Sequence, residues 1–286
     1  VTLLPPLAVS TGLLAAIQLV PLTILGLLYV RRVRTLAESE HPVPRRRQGC
    51  FYAGLVVIAV AVGALGKAGQ ELLFVHTIEQ LLIGDIAALL IVLGLTGPLI
   101  APILKIGVFD RLCVLATPPI AFPLWTIDLY LWHLPALYQA ALENPWVHAL
   151  EHTMLLGFGI NMWMCLFGPL PMPAWFGSRG KLLYILAVRL AGAALGNLLL
   201  WSDVVFYSYY QPTDAVHHIS PLADQNLAGA VMTIEVSLLT VGLFCWLFKR
   251  TAHEAVERQE LLDFARRHSL PLSERRAGRA VSAGRG

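Results

Sequence analysis

Charge is scarce in this chain. Only 14% of its 286 residues are Asp, Glu, Lys or Arg, where a soluble globular protein carries about a quarter. That deficit excludes an ordinary soluble fold. Cysteine is scarce too: Cys50, Cys113, Cys165 and Cys245 are the only four, and no two stand in a Cys-x-x-Cys spacing. No thiolate metal site or redox motif is therefore signalled, and the four thiols are expected to form no disulfide. No internal repeat is visible, so nothing points to an inverted-repeat transporter. The first apolar run lacks a positive segment before it and ends in an arginine cluster, which reads as a membrane span with its stop-transfer charge rather than a cleavable signal.

What the chain has instead is apolar length. Hydrophobic residues make up 57% of it, mean hydropathy is +0.66, and several runs reach the ~20 residues that cross a bilayer. The pattern predicts an all-α polytopic membrane protein with seven transmembrane helices, at about 11–30, 50–66, 78–100, 114–133, 148–167, 182–201 and 226–248. Residues 1–248 form the membrane domain, 249–270 a cytoplasmic amphipathic helix, and 271–286 a disordered basic tail. Arginine and lysine crowd alternate connections: Arg31, Arg32, Arg34 and Arg45 to Arg47 in the first, Lys105 and Arg111 in the third, Arg179 and Lys181 in the fifth, Lys249 and Arg250 after the last. The positive-inside rule then puts the N-terminus outside and the C-terminus in the cytoplasm. This implies a multi-pass protein of a bacterial plasma membrane with the lipid bilayer as partner and no nucleic acid.

On that orientation six of the nine histidines, His76, His133, His148, His152, His217 and His218, fall at the outer face. All four cysteines fall near inner ends of spans, which suits an oxidising exterior. Metal chemistry outside would then draw on His, Met and carboxylate, and Met154 and Met232 fall near the outer ends of their spans. The densest stretch is Asp128 to His152. His148 and His152 are four apart and share one helix face, a spacing suited to two ligands of one ion. Glu151 lies beside them, and His133 ends the preceding span two residues before Pro135. A short hairpin would bring His133 to the pair, with His76 at the outer end of the third span joining them. Asp224 reads as the N-cap of the last span, with a second-shell or carboxylate-ligand role towards a histidine also open. Outer aromatics, among them Trp132, Tyr138, Trp146, Trp201, Tyr207 and Tyr210, read as an interfacial belt. Trp125 and Trp163 read as packing. Four ionisable residues fall within spans: Asp85 and Asp128 shallow, Arg189 and Glu235 near mid-membrane, where they are placed to pair.

The motifs Leu131-Trp-His133-Leu-Pro135-Ala-Leu-Tyr138, His148-Ala-Leu-Glu151-His152, Gly196-Asn-Leu-Leu-Leu200 and Pro221-Leu-Ala-Asp224-Gln225 together resemble the polytopic, seven-span CtaG-type cytochrome c oxidase assembly factors, over roughly residues 68–248. The resemblance implies a plasma-membrane protein that matures a heme–copper oxidase rather than an enzyme, with copper as the metal and oxidase subunits or other copper-handling proteins as partners. His76, His133, His148 and His152 are the candidate ligands, with Glu151 and Asp224 as second-shell or carboxylate ligands. The family's third span begins His-Met-x-x-His, whereas this chain reads His76-Thr-Ile-Glu79-Gln80, and Thr233 replaces a family Trp after Met232. Either Glu79 substitutes, or the site is smaller, or metal binding is lost. A b-type heme protein with paired axial histidines and a metal or ion transporter lined by the buried charges are the alternative readings.

A reporter fused to the C-terminus is expected to be active only in the cytoplasm. Activity confined to the outer side would reverse the assignment and the side on which the six histidines lie.

Overall fold

The computed structural model describes residues 11–283, and every regular element among them is helical. Residues 1–10, and the last three residues of the tail expected to be disordered, lie outside the described residues. The chain folds as α1 (Thr11–Ala37), α2 (Arg45–Gly69), α3 (Leu73–Gly94), short α4 (Gly97–Leu104) and α5 (Gly107–Leu112), α6 (Pro118–Trp132), α7 (Pro135–Glu143), α8 (Pro145–Phe167), α9 (Ser178–Trp201), short α10 (Gln211–Val216), α11 (Pro221–Arg267) and α12 (Glu274–Ala283). Among the described residues four helices, α2, α3, α9 and α11, are long and apolar enough to cross a membrane. α6 has 15 residues, and the 23-residue α8 carries His148, Glu151, His152 and Asn161.

Proline punctuates this order. α4, α6, α7, α8, α10 and α11 each carry Pro in the first or second position, where the missing N–H is not needed and φ is preset. Helices α6, α7 and α8 can therefore follow one another with almost no loop. Arg47 donates to the Leu95 carbonyl at 2.6 Å, placing a cation at the carbonyl-rich end of α3, and Arg32 donates to the Pro98 carbonyl, at the start of α4, at 2.8 Å.

Two crossings set the helix spacing. A Cβ on Gly159 of α8 would collide with the carbonyl oxygen of Gly84 in α3, and one on Gly229 of α11 would collide with the backbone of Leu200 and Gly196 in α9. Only glycine allows backbones this close, the packing mode that replaces the hydrophobic effect inside a bilayer. At the other end of the α9–α11 pair Lys181 reaches Trp246, so these two helices run antiparallel.

The buried charges differ from the sequence expectation. Arg189 pairs first with Asp85, at 2.8 and 3.4 Å, and lies 3.8 Å from Glu235. Asp85 lies farther along its helix than expected, because α3 begins at Leu73 rather than near residue 78. Twelve residues separate Leu73 from Asp85, about 18 Å at 1.5 Å per residue. Asp85 lies in a π-helical turn, Leu82–Ala87, and its carbonyl accepts the Trp163 indole N–H at 3.0 Å. The same indole ring lies 5.2 Å from the Arg189 guanidinium. Trp163 is thus core, as expected, but with a polar duty as well.

The C-terminal segments also differ. The last span and the expected amphipathic helix are one 47-residue helix, α11. The tail is helical over Glu274–Ala283 and buries Ala277 and Val281 against α11. These residues are four apart and make a small apolar stripe that a reading by composition passes over.

Asp85→Ala is expected to destabilise the fold by about 3–5 kcal/mol, because it leaves the guanidinium buried without its closest partner. Thermal unfolding in detergent measures this. Asp85→Ala combined with Arg189→Met should recover most of the loss, and no recovery would show that the pair is not what the site depends on.

Candidate metal centre

Helix α3 opens on Leu72, an extended residue without a side-chain cap of its own. Its first N–H groups are taken from across the bundle: Asp224 of α11 accepts from Leu73 N at 2.6 Å and from Phe74 N at 3.0 Å. Asp224 therefore does not cap the last span; Ser220 does, accepting from Ala223 N at 3.1 Å. Proline at the start of α11 puts its cap one residue ahead, and that leaves Asp224 to turn outward from its helix. Both its oxygens are committed to α3.

One turn beyond this anchor, α3 presents His76, then Glu79 and Gln80, towards α8. Helix α8 is capped by Asn144, which accepts from Trp146 N at 2.9 Å, and presents His148, Glu151 and His152 on the facing side. The His148 and His152 ring centroids are 4.2 Å apart, and His76 lies 5.4 Å from His148 and 6.2 Å from His152. His76 Nε2 is 3.7 Å from Glu151 Oε2, His76 Nδ1 is 3.9 Å from Glu79 Oε2, and His152 Nε2 is 3.9 Å from Glu79 Oε1. Gln80 donates to Glu151 Oε1 at 2.8 Å and lies 3.2 Å from His76 Nε2. All six side chains are buried.

Two sets of three donors have ligand atoms within 4.8 Å of one another: His76, His148 and Glu151, and Glu79, His148 and His152. His148 belongs to both. His76 Nδ1, Glu79 Oε2, His148 Nε2 and Glu151 Oε2 are buried without a hydrogen-bond partner. Buried polar atoms are normally paired, and an uncompensated carboxylate in an apolar setting is costly. Imidazole nitrogens and carboxylate oxygens gathered around one space fit a divalent cation of intermediate softness.

His133 is buried and turned into the bundle, but it belongs to neither donor set. Its Nδ1 lies 2.8 Å from the Leu129 carbonyl, as a residue closing α6 can arrange. Tyr138 touches both neighbours, 5.2 Å from His76 and 6.1 Å from His133. His217 and His218 are exposed, and His217 pairs with Glu71 at 3.1 Å.

The aromatic belt is only partly a belt. Trp146 and Trp201 are exposed, whereas Trp132, Tyr138, Tyr207 and Tyr210 are buried. Tyr207 donates to the His133 carbonyl at 2.8 Å and stacks at 4.2 Å on Tyr138; Tyr210 donates to the Gly69 carbonyl at 3.1 Å. These side chains close the connection between α9 and α11 over the histidines, since a phenol can bury its ring while its hydroxyl satisfies a loop carbonyl. Trp132 donates to Asp128 Oδ1 at 3.1 Å, and Asp128 is buried.

Asp214 of α10 is buried in this cover with neither oxygen hydrogen-bonded to a donor. Burial and the neighbouring Asp224 carboxylate push it up to about 7. The folded state holds this proton more tightly than the unfolded chain, whose Asp titrates near 3.9. Stability should therefore fall as pH rises from about 4 to about 7 and level off above. Asp214→Asn is expected to remove that slope and to be the more stable protein at pH 8 in thermal unfolding. An unchanged slope would assign the effect elsewhere.

Against known proteins, the chain matches the family model described as cytochrome c oxidase caa3 assembly factor (Caa3_CtaG) over residues 27–254. No curated protein and no solved structure matches it. The matched residues take in both helices that carry the donors and the loop that covers them. The chain belongs to the caa3-type cytochrome c oxidase assembly factor family.

Proposed function

We propose that this member of an oxidase assembly family handles copper, binding the divalent ion between α3 and α8 and passing it to a subunit of the oxidase. The observation that carries this reading is the pair of overlapping donor sets sharing His148, with buried nitrogens and oxygens left unpaired around them. His76, His148 and His152 would supply nitrogen, and Glu79 and Glu151 oxygen and negative charge. Glu79 would take over from the histidine that Gln80 replaces. Gln80 would orient Glu151, and Asp224 would act through the backbone, holding the turn from which His76 projects. A nitrogen and oxygen donor set suits cupric copper better than cuprous, which prefers sulfur. When bound, the ion would neutralise two carboxylates that otherwise face only imidazoles and the Gln80 amide.

Helices α1, α2, α3, α6, α8, α9 and α11 would make seven spans, with the donors near the outer face of a bacterial plasma membrane. The basic residues at the opposite helix ends support that orientation. Among His76, His148 and His152, imidazole centroids 4.2–6.2 Å apart leave no slot for a macrocycle.

Purified protein loaded with Cu²⁺ and desalted is expected to retain about one ion per chain, a site of the kind in which loss of one ligand is felt strongly. His148→Ala should abolish retention, because it breaks both donor sets. His133→Ala, and replacement of all four cysteines by serine, should leave it intact. A wild-type protein that retains no copper, or a His148→Ala protein that retains as much as wild type, would overturn the reading.

A further inference from the structure

At the end of the bundle away from the histidines, α9 and α11 bring two cations to one aromatic ring. Lys181 Nζ lies 5.7 Å from the Trp246 centroid and the Arg250 guanidinium carbon lies 5.8 Å from it. Lys249 and His253 stand beside them, and the nearby carboxylate is Glu254, which pairs with Arg250 at 2.8 Å. Positive charge is in excess. A surface cavity of about 580 Å³ opens here, lined by Trp246, Phe248, Lys249, Arg250, Ala252 and His253.

The depth of this cavity is set by α11 itself. Ile234, Leu238, Val241 and Phe248 are all exposed apolar residues, spaced three, four or seven apart on one helix face. The next residue, Lys249, begins the charged run. The change from exposed apolar to basic marks the level at which lipid tails give way to headgroups. Lys181, in the first turn of α9, stands at the same level on the neighbouring helix. Snorkelling alone would spread such cations apart. Here they converge from two helices on one ring, and the carboxylate recorded beside them, Glu254, pairs with Arg250; a further anion would stabilise the pair.

We propose that Lys181, Trp246 and Arg250 form a headgroup site for an anionic phospholipid. The phosphodiester bridges the ammonium and the guanidinium beside the indole ring, at the level where the exposed apolar face of α11 ends. The shared chemistry is a phosphate oxygen between two cations, so free phosphate is the competing source. The site does not depend on the copper reading.

Native mass spectrometry of the full-length protein in detergent tests it, with phosphatidylglycerol, phosphatidylcholine or inorganic phosphate added. Wild type is expected to retain phosphatidylglycerol in preference to phosphatidylcholine. Lys181→Gln and Arg250→Gln should each weaken retention about fivefold, the contribution of one cation near a charged lipid surface, and their combination should erase the preference. Lys181→Arg, which keeps the charge, should retain it and thereby separate a charge effect from a folding defect. Equal retention of the two lipids, an undiminished preference in the double variant, or displacement of the lipid by millimolar inorganic phosphate would each overturn the proposal.

Discussion

The metal-like cluster depends on how closely two helices approach. Gly84 and Gly159 let the backbones of α3 and α8 touch, and a side chain at Gly159 would meet the Gly84 carbonyl. Towards the N-terminal ends of these two helices, α3 carries His76, Glu79 and Gln80, and α8 carries His148, Glu151 and His152. Long side chains on helices farther apart would point at one another without meeting. The Asp224 carboxylate adds the second constraint, fixing where α3 starts. The rotation of α3 about its axis, and with it the direction of His76, follows from that anchor.

The protein treats buried charge in two opposite ways. In the middle of the bundle Arg189 is matched to Asp85, with Glu235 near and an indole ring against the guanidinium. This is a pair held for structure, because breaking it costs far more than the pair returns. Near the other end of α3, Glu79 and Glu151 face three imidazoles and one amide, with no lysine or arginine among their ion pairs. Such an arrangement is economical only when something positive comes to it. The contrast supports ascribing ligand binding to the histidine cluster and scaffolding to the Arg189 pair.

The family resemblance and the geometry meet at Gln80. A glutamine is a poor ligand, yet it is fully integrated here, bonded to Glu151 and close to His76. The Gln80 amide orients the Glu151 carboxylate, while Glu79, one residue earlier, enters the second donor set. The cover formed by Tyr138, Tyr207 and Tyr210 is part of the same design, since it removes the donors from water, where a carboxylate would gain little from a cation.

Much of this was legible in the sequence. Apolar runs of bilayer length announce helices, because a backbone in lipid must satisfy its own hydrogen bonds. His148, Glu151 and His152 on one face follow from helical spacing alone, and the motifs around them pointed to the family. The tertiary structure decided what spacing cannot reach. It set Asp85 rather than Glu235 as the closest partner of Arg189, because that depends on where α3 begins. It moved Asp224 from its own helix to the start of another, gave Tyr138 and Tyr207 to the interior, and left His133 beside the donor sets rather than in them. Periodicity tells which residues share a face of one helix; which faces meet, and at what depth, is fixed only when glycine contacts and caps bring separate helices together.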